Sequence, residues 1–100
     1  MAIYVTSDAH GHVRALDEAL SKISLASDDT LYVLGDMIDR GPDPVGVIKL
    51  VRSLPNARVL KGNHEQIMLD AIIGQDPLDA ETWDINGGWT TREQLNDMEF

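Results

Sequence analysis

Thr30-Leu31-Tyr32-Val33-Leu34-Gly35-Asp36-Met37-Ile38-Asp39-Arg40-Gly41 is an apolar run that stops abruptly at glycine and acid. Its first five residues are rich in β-branched and aromatic types, which predicts a strand over 30–34. Gly35 to Gly41 is then a loop. Asp43-Pro44 behind it supplies a helix N-cap with proline at the first helical position. Leu31 and Val33 alternate with Tyr32 and Leu34, so the strand is apolar on both faces, the habit of a parallel sheet.

The same pattern recurs on either side. Ala2 to Thr6 is a second such run, ending at Ser7-Asp8, and Ala57 to Leu60 is a third, ending before Gly62-Asn63. Between the first two runs, Val13, Leu16, Leu20 and Ile23 hold the spacing of an amphipathic helix that extends to about Ser24. A helix from Pro44 to about Leu54 is closed by Pro55-Asn56. Another helix covers about His64 to Ile73 and stops at Gly74. Asp76-Pro77 starts a short helix through Trp83, Gly87-Gly88 marks a turn, and Thr90-Thr91-Arg92-Glu93 offers a capping box for a last helix. The order βαβαβ, followed by helices, predicts an α/β fold built on a parallel sheet. Right-handed crossovers place both early helices on one face. The other, equally apolar face is left for the later helices, a missing domain half or a partner subunit to cover.

Composition narrows the function classes. The 100 residues are 43% hydrophobic and 25% charged, ordinary for one small globular domain, residues 1–100. The absence of cysteine excludes disulfides and thiolate metal ligands. The first residues lack the length and basic flank of a signal peptide, and no run approaches a membrane span, so the expected location is the cytoplasm, without a membrane partner. The net charge of −9 offers no basic stripe for nucleic acid. Residues 1–65 carry nine acids against seven Lys and Arg, whereas residues 66–100 carry eight acids and only Arg92. The acidic tail is the pattern of a solvated surface. Acids clustered within the nearly balanced half are better explained by bound cations.

Those acids lie in three clusters, each directly after a predicted strand, where open α/β sheets place their sites. In Asp8-x-His10, a carboxylate and an imidazole two residues apart suit Mn, Fe or Zn, although an aspartate at a strand end is also a common turn former. In Gly35-Asp36-x-x-Asp39-Arg40-Gly41, the two oxygens of Asp36 suit a bridge between cations and Arg40 offers a planar fork to phosphate. The alternative there is a glycine-flanked turn with a surface Asp–Arg pair. Asn63 offers an amide oxygen and His64 a general acid, while Asn63 with Gln66 equally resembles an N-cap pair. His12 is expected on the surface in the first helical turn. Together the clusters point to a metal-dependent phosphoester hydrolase.

Asp8-x-His10-Gly11, Gly35-Asp36-x-x-Asp39-Arg40-Gly41 and Gly62-Asn63-His64-Glu65, in that order, resemble the PPP-type serine/threonine protein phosphatases of the calcineurin-like metallophosphoesterase superfamily. Arg40-Gly41-Pro42, Asn86-Gly87-Gly88 with Trp89, and Ser7 in place of a glycine resemble its bacterial and phage branch, typified by lambda phosphatase. The resemblance runs from about Ile3 to Trp89. It implies a phosphomonoester hydrolase with two divalent metal ions, Mn before Fe or Zn. Asp8 and His10 would hold the first ion, Asp36 would bridge, and Asn63 would hold the second. Arg40 would bind phosphoryl oxygens, and His64, polarised by Asp39, would protonate the leaving group while a dimetal-bound hydroxide attacks phosphorus. The implied partner is a phosphorylated protein or small phosphoester.

Diadenosine tetraphosphatases resemble the chain too. They usually lack the acid matching Asp39 and carry Asp where Glu65 stands, which favours the phosphatase as the expectation. Family members are typically more than twice this length, and their later half adds a second sheet and further histidine ligands, whereas no histidine follows His64 here. The second metal would keep only Asp36, Asn63 and water. The chain is therefore expected to be the N-terminal half of a calcineurin-like α/β sandwich, a fragment or truncated product. On its own it would be inactive or associate through the bare sheet face. A non-catalytic regulatory module is the remaining alternative; retention of Asp39, Arg40 and His64 speaks against it.

Overall fold

A computed structural model describes residues 1–74 and 76–98. Strands β1 (Ile3–Thr6), β2 (Thr30–Val33) and β3 (Ala57–Val59) form one sheet in the order β1-β2-β3. Both pairings are parallel, with Tyr4 beside Leu31 and Val33 beside Val59. Helices α1 (Val13–Ile23) and α2 (Pro44–Arg52) make the crossovers, so the predicted βαβαβ unit is present. The strands end one residue earlier than expected at Leu34 and Leu60, although their N–H groups still donate to Thr6 and Val33.

Side chains alternate across a strand, and here the two faces have different fates. Leu31 and Val33 face a core completed by Leu16 of α1, Val47 and Val51 of α2, and Met37 and Ile38 of the loop between β2 and α2. Burying each of these large side chains stabilises the fold by about 1.5–3 kcal/mol. On the opposite face Ile3, Val5 and Leu60 are 63%, 60% and 54% exposed. That apolar face is therefore uncovered among the described residues.

The remaining helices are α3 (Asn63–Ile73), α4 (Pro77–Ile85) and α5 (Trp89–Asp97). They pack on one another and on α2, not on the open sheet face. Asp43 caps α2 as expected, accepting from Gly46 N–H, and Asp76 caps α4 by accepting from Leu78 N–H. Two expected caps are corrected. The N-cap of α3 is Gly62, not Asn63, and Glu65 rather than Gln66 reaches back to it, at 2.9 Å. Gln66 instead pairs with Lys61 and Asp70. The N-cap of α5 is Gly88, so Thr90 lies inside the helix and donates to Gly87 O at 3.2 Å. No helix of the described residues is long and apolar enough to cross a membrane.

Candidate metal centre

Asp8 and His10 follow β1, Asp36 follows β2, and all three sit at the same carboxyl edge of the sheet. One ligand atom from each lies within 4.8 Å of the others. Parallel strands create this convergence, because neighbouring strands then end on the same side.

The chain holds the trio in an uncommon backbone. Asp8, His10, Asp36, Asp39 and Arg40 all have positive φ, between 42° and 72°. Such conformations cost on the order of 1–3 kcal/mol each and persist only where the surroundings impose them. Glu65 imposes much of the one at Asp36. Its Oε1 accepts from Asp36 N–H at 2.6 Å, and its Oε2 accepts from Met37 N–H at 3.0 Å. On the other side, His10 and Gly11 donate their N–H groups to the carbonyls of Asp36 and Met37. Gly35 permits the approach, since a Cβ there would lie 2.2 Å from Gly62 N. Ile38, fully buried, pins the middle of the loop.

His10 is oriented for ligation. Its Nδ1 lies 2.8 Å from Ile38 O, which can only accept, so Nδ1 carries the proton. Nε2 is left with its lone pair, facing Asp8 Oδ1 at 3.6 Å. A histidine ligand is set in this way, with one ring nitrogen bonded to the backbone and the other open. The donor set of two carboxylates and one imidazole suits a borderline divalent cation such as Mn, Fe or Zn. The residues present thus fit a metal ion.

His64 stands beside the trio, its ring 4.6 Å from that of His10 in an edge-on arrangement. Its N–H donates to Asp36 Oδ1 at 2.9 Å. Its Nδ1 donates to Asp39 Oδ2 at 2.8 Å, which leaves Nε2 as the outward nitrogen. Asp39 is fully buried and also accepts from Trp83 and Thr91. The Asp39–Arg40 surface pair is thereby corrected: the carboxylate turns inward while Arg40 is exposed. Arg40 is held through its backbone, whose N–H donates to Gly87 O at 2.9 Å. Asn63 is exposed at the first position of α3, next to His64. His12 is exposed before α1, as expected.

Three residues of the site escaped the sequence reasoning. Glu65 stood in a quoted motif but had no role assigned. Thr91 was expected in a capping box, and Trp83 only as the end of a short helix. A tryptophan in an otherwise acidic, solvated segment was the available signal, because a buried indole N–H needs an acceptor.

The profile of one protein family, calcineurin-like phosphoesterase, matches residues 1–98. A symmetrical bis(5'-nucleosyl)-tetraphosphatase of Proteus mirabilis is 39% identical over 71 residues, covering 69% of this chain and 26% of that protein. Serine/threonine-protein phosphatase 1 of Salmonella typhimurium is 38% identical over 92 residues, covering 90% of this chain and 41% of that protein. Among solved structures, a crystal structure of a proposed diadenosine tetraphosphatase matches with a TM-score of 0.58 and 33% identity, over 78% of this chain and 36% of that one. The chain thus spans well under half the length of each of these proteins.

Proposed function

The chain belongs to the calcineurin-like phosphoesterase family, and we propose that residues 1–100 supply the first half of a two-metal phosphohydrolase site acting on dinucleoside polyphosphates. The convergence of Asp8, His10 and Asp36 within 4.8 Å carries this reading. The likeness to symmetrical tetraphosphatases supports the substrate class. The uncovered sheet face and the share of the relatives that is spanned support a domain completed by further chain or by a second copy.

Asp8, His10 and Asp36 would hold one cation, and Asp36 with Asn63 would contribute to a second. Bound divalent cations, Mn before Fe or Zn, generate a nucleophile at neutral pH and neutralise charge on the attacking and departing oxygens. Arg40, exposed at the rim, offers its guanidinium fork to phosphoryl oxygens. His64 presents Nε2 to the leaving oxygen while Asp39 holds Nδ1–H; the ring protonated on both nitrogens would give its Nε2 proton to that oxygen and return to the Nδ1–H form.

The Asp39–His64 pair favours a second reading, hydrolysis of phosphoserine or phosphothreonine in proteins. An alkoxide is a far poorer leaving group than a nucleotide phosphate, so a positioned acid matters most for a phosphoprotein. The Salmonella phosphatase, matching over nine-tenths of this chain, points the same way.

Mn-dependent hydrolysis of diadenosine tetraphosphate and of a phosphoserine peptide, each alone and in competition, separates the two readings. Asp36→Asn is the control, and calorimetric Mn titration reads the site apart from turnover. Release of ADP in preference to phosphate from the peptide supports the first reading, and the reverse supports the second. Mn binding unaffected by Asp36→Asn overturns both.

A further inference from the structure

Two helices from the acidic half of the chain close on Asp39. Trp83 of α4 places its indole N–H between the two carboxylate oxygens, 3.0 Å from Oδ1 and 3.1 Å from Oδ2. Thr91 of α5 places its hydroxyl 2.7 Å from Oδ1, and the same hydroxyl oxygen accepts the N–H of Asp39 at 2.9 Å. Thr91 therefore ties the carboxylate to its own backbone and fixes the side-chain torsion.

Every group around the carboxylate is a donor: one imidazole N–H, one indole N–H and one hydroxyl. A tryptophan N–H cannot accept and a carboxylate has no proton to give, so both groups donate to Asp39. The carboxylate in turn presents an acceptor to His64 and selects the Nδ1–H tautomer. Trp83 and Thr91 are both buried, at 3% and 1% exposure, so water does not substitute for either. The turn between α4 and α5 is shaped for this approach. A Cβ on Gly88 would lie 2.1 Å from the Trp83 ring, and Gly87 O takes the N–H of Arg40. The helical hairpin thus grips Asp39 and Arg40, two consecutive residues at φ 72° and 70°.

We propose that Trp83 and Thr91 are positioning residues for the Asp39–His64 pair, locking the carboxylate so that His64 keeps its proton on Nδ1 and directs Nε2 toward the site. This rests on the reading of His64 as the group that serves the leaving oxygen.

The test compares the wild-type chain with Thr91→Val, Thr91→Ser and Trp83→Phe, each checked for fold by circular dichroism. Nitrogen-15 NMR of the His64 ring at one fixed pH, in the metal-free chain, reports the tautomer without any turnover. The expected result is a single Nδ1–H form in the wild type and in Thr91→Ser, and a mixture in Thr91→Val and Trp83→Phe. In turnover, the kcat ratio of a phosphoserine peptide to p-nitrophenyl phosphate is expected to fall about tenfold in Thr91→Val and to recover in Thr91→Ser, within the range seen for outer-sphere partners of site residues. Folded Thr91→Val with an unchanged His64 tautomer overturns the proposal. A tautomer shift with an unchanged substrate ratio upholds the positioning role and removes His64 as the acid, so the two failures are distinguishable.

Discussion

His10 donates its Nδ1–H to the carbonyl oxygen of Ile38 at 2.8 Å, joining the loop after β1 to the loop after β2. Ile38 is fully buried in the core, so the ring is anchored through its acceptor to the packed interior. Core packing thereby sets the direction of Nε2.

His10→Ala should lower Mn affinity by more than the tenfold to hundredfold that loss of an outer partner costs. Calorimetric titration checks this. Unchanged affinity removes His10 from the ligand set.

Glu65 accepts three backbone N–H groups, from Asp36, Met37 and Gly62. Glu65→Gln keeps one acceptor oxygen for Asp36 and Gly62 and turns an amide NH2 toward the Met37 donor. The expected loss is about 2 kcal/mol of unfolding free energy, in the range of hydrogen bonds to charged groups. Urea denaturation with tryptophan fluorescence measures it, and weakened Mn binding should accompany it because Asp36 loses its clamp. A midpoint equal to the wild type contradicts the assignment.

Asp29 is buried beside the start of β2, and the N–H of Ala26, then that of Ala2, hold its carboxyl below the ordinary carboxylate range. Its folded pKa lies below the unfolded value of about 3.9. The resulting stability is present above that unfolded value and is lost as pH falls through the folded one. Asp29→Asn should flatten this acid limb of the stability profile, measured as thermal midpoint against pH. An acid limb as steep as the wild type places the sensitivity elsewhere.

Ile3, Val5 and Leu60 leave one sheet face apolar and exposed. Contiguous patches of this kind mark interaction surfaces. We expect the isolated chain to sediment with a weight-average mass that rises with concentration, and Val5→Glu to return it to a monomer. A wild-type chain that stays monomeric throughout disposes of self-association through this face.

The convergence of Asp8, His10 and Asp36 at one sheet edge was legible in the order of residues because each element of it is local. A strand run followed by Asp8 and His10, or by Asp36, places ligands at a sheet edge whichever helices follow. The Asp39–His64 bond was legible only through resemblance, since residues 25 positions apart carry no local signal of contact. Thr91 and Trp83 were hidden for the same reason, reaching Asp39 across 52 and 44 positions. The N-cap of α3 was misplaced because Asn63 has the higher intrinsic capping preference. Glu65, committed to the Gly62, Asp36 and Met37 amides, decided the matter instead.

The sequence by itself determined the βαβαβ order, the parallel sheet and the placing of Asp8, His10 and Asp36 at strand ends. Those follow from short-range periodicity, turn chemistry and strand ends, which need no knowledge of distant contacts. Only the tertiary structure decided which way Asp39 turns, which nitrogen of each histidine is open, and that α4 and α5 grip the loop rather than cover the sheet. Those choices depend on hydrogen bonds between buried groups far apart in the chain. A buried polar group takes whichever partner the packing brings within reach.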